Sequence, residues 1–182
     1  DEGLEILHLR KPNTEPVYSE RLLTLISEEY RKRIVVHDHF YLKNEYKLKG
    51  IHLNSRNSEV QPNYKGHTSC SCHTFDEVKA HKKKCDYVFL SPIFDSISKV
   101  DYSSSFSHLE LQEQAQKKVI DKKVMALGGI DIENIQKVKD YGFGGAVLLG
   151  AIWNRFDLHS TQDFKELINH FRKLRKIAEK NQ

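Results

Sequence analysis

The side chains of this sequence that could do chemistry fall in short clusters, each just after an apolar run. In chain order they are His8 and Arg10; His37, Asp38 and His39; Asn54 and Asn57; Ser71 and His73; Ser96, Ser98 and Lys99; Gly128 and Gly129; and Leu149 and Gly150. Arginine, lysine, serine, glycine and one carboxylate make a set suited to anionic groups, with room for a divalent cation. The two glycine-ended runs, Val124–Ile130 and Ala146–Gly150, stand out. Backbone N–H groups after such strands point at an anion, and a glycine leaves the approach open.

Strand and helix periods position these clusters. Period-two patterns predict strands over Leu4–Arg10, Arg33–Asp38, Gly50–Leu53, Thr68–Cys72, Tyr87–Leu90 and the two glycine-ended runs. Helices are predicted over Glu15–Tyr30, with Leu22, Leu23, Leu25 and Ile26 inward, and over Phe40–Tyr46, Thr74–Lys84, Asp131–Tyr141 and His108–Val119. Thr74 and Glu77 have capping-box spacing. A last helix carries Phe164, Leu167, Ile168, Phe171, Leu174 and Ile177. Alternating strands and helices, with a first strand expected before Asp1, predict a single (β/α)8 barrel domain over 1–182 that lacks its first strand. Strand ends converge in that fold, and the last two form a phosphate site. The serine-rich loop from Ile93 to Ser107 is long enough to act as a lid.

Composition narrows the class. The chain has 182 residues and a net charge of +4 with mixed signs, which gives no basis for nucleic-acid binding. No apolar run reaches the length of a membrane span. Three cysteines, two of them at Cys70 and Cys72, do not make a disulfide framework, so a cytoplasmic setting is expected. Zinc at His37-Asp38-His39 is disfavoured because consecutive strand residues alternate faces. The same alternation buries Cys70 and Cys72 opposite Ser71.

The sequence resembles thiamin phosphate synthases and the related thiazole tautomerases. The similarity rests on Leu7-His8-Leu9-Arg10-Lys11, Val36-His37-Asp38-His39, Gly50-Ile51-His52-Leu53 and Ser69–Thr74. It continues through Tyr87–Phe94, Ser98-Lys99, Ala126–Ile130 and Gly145–Ile152. The resemblance implies an Mg²⁺-dependent transferase that joins a pyrimidine methyl diphosphate to a thiazole phosphate and releases diphosphate. It implies that Arg10, Lys99 and Ser71 act on the diphosphate, that His8, His37, Ser96 and Ser98 add substrate contacts, and that Asp38 and Asn57 hold Mg²⁺. Gly128, Gly129, Leu149 and Gly150 would hold the thiazole phosphate, and a homodimer is an assembly the family allows. Several positions depart from the synthase pattern: His8 replaces a glutamine, His37 an asparagine, Pro12 a lysine and Asn57 an acidic residue, and His39 takes the basic position after the aspartate. The alternatives are a thiazole tautomerase, whose histidine is here Pro92, and a binding protein that keeps the phosphate cup without catalysis.

Overall fold

The computed structural model describes residues 2–95, 105–155 and 163–179. The chain divides into two compact units, the first ending at Ser71 and the second beginning at Cys72, with Glu2 grouping with the second.

The first unit runs β1 (Leu7–Leu9), α1 (Pro16–Leu25), α2 (Glu28–Arg31), β2 (Ile34–Val36), α3 (Leu42–Glu45), β3 (Gly50–Leu53) and β4 (His67–Cys72). Its strands pair in chain order and in parallel, with Leu7 beside Ile34, Val36 beside Ile51 and His52 beside Ser69. A parallel sheet must be covered by apolar groups. Here Leu23, Ile34, Val36, Leu42, Leu48 and Ile51 form the core, with Leu7, Leu9 and Leu53 packed against it. Strand alternation then assigns His8, His37, His52, Ser69 and Ser71 to the opposite face. At Gly50 a Cβ would lie 2.0 Å from the carbonyl oxygen of His67, so β3 and β4 approach closely only because this residue is glycine.

The expected Glu15–Tyr30 helix is two helices. Ile26 and Ser27 are extended, which ends α1 at Leu25 and starts α2 afresh. Leu23 is fully buried, but Leu25, predicted inward, is 85% exposed because it lies at the interrupted end of α1.

The second unit contains α4 (Phe75–His81), β5 (Tyr87–Leu90), α5 (His108–Gln116), β6 (Val124–Leu127), α6 (Ile135–Asp140), β7 (Gly145–Val147), α7 (Gly150–Trp153) and α8 (Asp163–Glu179). Strands β5, β6 and β7 are parallel neighbours in chain order. The capping box expected at Thr74 forms: Glu77 N–H donates to Thr74 Oγ1 at 3.2 Å, and Glu77 Oε2 accepts from Thr74 N–H at 3.3 Å. A second box, Ser107 with Glu110, starts α5. Helix α8 packs on α6 and α7. Leu174 is buried and Leu167, Phe171 and Ile177 are half-buried, while Phe164 and Ile168 lie off that stripe and are exposed. Cys70, Cys72 and Cys85 are buried. No helix among the described residues is long and apolar enough to cross a membrane.

Candidate active site

The face of β1–β4 opposite the apolar core carries a connected polar cluster. His8 sits inside β1, His37 directly follows β2, and His52 lies in β3. His8 Nδ1 and His37 Nε2 are 2.9 Å apart, so one ring donates to the other. His52 is held on both sides by β4: its Nδ1 is 2.8 Å from Ser69 Oγ and its Nε2 is 2.9 Å from Ser71 Oγ. One ring nitrogen is a donor and the other an acceptor, so His52 fixes the hydroxyl directions of both serines.

Burial sets the charge of these rings. His52 is fully buried, His37 nearly so, and His8 half-buried. Desolvation pushes His8 down to about 3, helped by His37 and His67. It pushes His37 down to about 4, with the Arg10 and Arg56 charges adding to the effect and Asp38 opposing it. His52 falls furthest, to about 2, through burial and its neighbours His37, His8 and Arg10. At neutral pH the cluster is three uncharged imidazoles beside the exposed Arg10.

Asp38 follows His37, and two residues from the loop after β3 hold it. Asn57 Nδ2 donates to Asp38 Oδ1 at 3.0 Å and to the His37 carbonyl at 3.1 Å; Arg56 Nη2 is 3.5 Å from the same carboxylate oxygen. Asp38 Oδ2 is buried and has no hydrogen-bond partner. A buried carboxylate oxygen left in that state is costly, and a hard divalent cation is the ligand that suits it. Asp38 therefore fits Mg²⁺. Asn57 presents its amide nitrogen to Asp38, so in this conformation it positions the carboxylate. His39 stands apart from the cluster: its Nε2 is 3.4 Å from the Thr14 carbonyl, and its ring lies 6.4 Å from that of Tyr41.

The second unit contains the glycine-ended strands. After β6, Gly128 has φ +103 and Gly129 φ +61, where L side chains are strained. A Cβ on Gly129 would lie 2.1 Å from Asp95 O, because the chain leaving β5 runs against this turn, with Phe94 N–H donating to Gly128 O at 3.2 Å. Asn134 Nδ2 donates to Gly129 O at 2.8 Å, closing the loop before α6. Beyond β7, Leu149 is exposed and Gly150 begins α7, a helix that the sequence pattern does not predict. Gly129→Ala is expected to cost more than about 2 kcal/mol of stability, against about 1 kcal/mol for Gly142→Ala. Gly142 shares a positive φ, at +79, but a Cβ there meets nothing within 4 Å. Urea titration of the two variants checks the ranking.

The predicted residues His8, His37, Asp38, Asn57 and Ser71 thus belong to one cluster, and Gly128 and Gly129 to one turn. Ser96, Ser98 and Lys99 lie outside the described residues. Sequence reasoning missed the roles of His52 and Ser69. Their signal is positional: each occupies the face opposite the apolar residues of its strand.

A family model described as thiamine monophosphate synthase matches residues 1–152. A solved structure of thiamine phosphate pyrophosphorylase from Bacteroides thetaiotaomicron is 54% identical to this chain, with a TM-score of 0.90, and the match covers 100% of this chain and 87% of that one. A second such structure, from Pyrococcus furiosus, is 21% identical with a TM-score of 0.69 over 98% of this chain and 84% of that one, and shows the fold alone. The thiamine-phosphate synthase of Nitrosomonas eutropha is 26% identical over 157 residues, 82% of this chain and 70% of that enzyme. One curated synthase, from Prochlorococcus marinus, is much longer, and the match covers 47% of it. With a family match over most of its length and a solved relative of this similarity, the chain belongs to the thiamine monophosphate synthase family.

Proposed function

We propose that the protein is a transferase of thiamin biosynthesis that couples a pyrimidine methyl diphosphate to a thiazole phosphate, forming thiamine phosphate and releasing diphosphate. The observation that carries this reading is the family match over a strand face that gathers Arg10, Ser71 and the unpartnered oxygen of Asp38. Arg10 supplies positive charge for the diphosphate. Ser71 donates its hydroxyl to a diphosphate oxygen, which requires its own oxygen to accept from His52 Nε2–H. His52 Nδ1 then accepts from Ser69, so a single proton direction runs Ser69 to His52 to Ser71. His8 and His37, uncharged, contact the pyrimidine. Lys99, Ser96 and Ser98 are assigned to the diphosphate and its surroundings, and the turns at Gly128-Gly129 and Leu149-Gly150 to the thiazole phosphate. Asp38 would hold Mg²⁺, with Asn57 beside it; when bound, the ion neutralises the charge of the departing diphosphate.

The parallel chain-order strands of each unit, and the likeness to the Pyrococcus structure, support a (β/α)8 barrel. A cytoplasmic setting accompanies the buried cysteines. A tautomerase is disfavoured by Pro92 at the position of its histidine, and by imidazoles whose low pKa makes them poor proton acceptors at neutral pH.

Calorimetric binding of diphosphate tests the first half of the site. Binding is expected to need Mg²⁺ and to be lost in Arg10→Ala; metal-independent binding unaffected by that change would refute the assignment. Asn57→Asp removes two N–H donors and sets two carboxylates side by side. It is expected to lower stability by about 1–3 kcal/mol without metal, and to tighten Mg²⁺ binding. An unchanged Mg²⁺ titration would take position 57 out of the metal's surroundings.

A further inference from the structure

We propose that His8, His37 and His52 bind one late first-row transition-metal ion, such as Zn²⁺ or Co²⁺, at a site whose ligands are distinct from the Asp38 carboxylate. Among the described residues these three make up the one group of at least three potential metal-ligating side chains whose donor atoms gather closely, all within 4.8 Å of one another. Three imidazoles are a donor set that favours zinc, cobalt, nickel or copper over Mg²⁺, which takes oxygen ligands. The backbone needs little adjustment because β1 carries His8, β3 carries His52, and His37 directly follows β2, which pairs in parallel with both.

Zn–N bonds of about 2.0–2.1 Å in a tetrahedron place nitrogens about 3.3 Å apart. His8 Nδ1 and His37 Nε2, at 2.9 Å, need only open slightly. His8 stands edge-on to both other rings, with centroids 5.1 and 5.2 Å away. His37 and His52 lie face to face at 4.1 Å, so one of them must turn about χ2 for the lone pairs to converge. His52 would ligate through Nε2 and keep Nδ1–H on Ser69, the fully buried serine. A hydrogen-bonded second nitrogen is the usual support of a metal-bound imidazole. The half-buried Ser71 would lose its bond to His52. Metal at this site and the hydroxyl direction that serves a diphosphate would then exclude each other. That last consequence rests on the synthase reading; the metal site does not.

The test is a Co²⁺ titration of chelator-treated protein with excess Mg²⁺ present, followed by visible absorption. The expected result is one Co²⁺ per chain with an intense low-coordinate spectrum, its affinity reduced at least about 100-fold in His8→Gln and in His37→Asn and retained in Asp38→Asn. His8 is half-buried, so its variant stays informative if His37→Asn prevents folding. Absence of stoichiometric binding overturns the proposal. So does binding that survives both histidine changes, or binding that disappears in Asp38→Asn alone. Diphosphate calorimetry on the same chelator-treated protein with Mg²⁺ added back and no Co²⁺ reads the synthase assignment separately.

Discussion

Taking the metal-free protein from pH 7.5 to pH 5 is expected to remove about 4 kcal/mol of folding stability through His37 and His52, and somewhat less than 2 kcal/mol more through the half-buried His8. Unfolded, each imidazole titrates near 6.5; folded, burial holds them at about 4, 2 and 3 for His37, His52 and His8. Below pH 6.5 the unfolded chain therefore binds protons that the native state refuses. The stability is fully present above 6.5 and is lost as pH falls toward the folded values, at about 1.4 kcal/mol per pH unit for each ring. The charges that face the cluster do not reverse the sign. Arg10 and Arg56 reinforce the shift of His37, His67 reinforces that of His8, and Asp38 opposes it only at His37. A loss of this size is comparable to the whole stability of many domains, so acid unfolding is expected near pH 5. Urea titrations at pH 7.5 and 5 measure it. His8→Gln should flatten the difference, and an identical pH slope in that variant would show that His8 takes up protons in the folded state.

The second large effect is at Asp38. Asp38→Asn should lower kcat/KM for coupling by about 100- to 1000-fold, the usual cost of removing one preorganised group that stabilises developing charge. An asparagine oxygen can still accept from Asn57 Nδ2, so the loop after β3 keeps its anchor and the thermal midpoint should move little. Steady-state kinetics against Mg²⁺ separate the cases. Loss of rate together with loss of metal response places the ion at Asp38. Full activity with an unchanged Mg²⁺ curve would leave the buried, unpartnered Oδ2 without a role.

Much of the fold was legible because each signal was local. The Thr74–Glu77 spacing specified its capping box, and the apolar runs ending at Leu90 and Leu127 specified β5 and β6. Alternation correctly buried Cys70 and Cys72. The break after Leu25 was not legible, because Ile26 and Ser27 carry no strong helix stop, and neither was α7, a single turn without a period. At the site, Asp38, His8, His37 and Ser71 could be read from position and resemblance. The histidine cluster could not: His8, His37 and His52 meet only through the register of three strands, and a single sequence does not state a register. Alternation turns Asp38 away from its chain neighbours His37 and His39, whereas His8 and His52 across the sheet bring their ring nitrogens close to those of His37.

The most direct test is to incubate the protein with pyrimidine methyl diphosphate, thiazole phosphate and Mg²⁺ and to follow both products. Thiamine phosphate and diphosphate should appear in equal amounts, and formation of both should stop on chelation. Diphosphate release without thiamine phosphate, or no turnover while thiazole phosphate still raises the melting temperature, would contradict the synthase assignment and leave a phosphate-binding relative in its place.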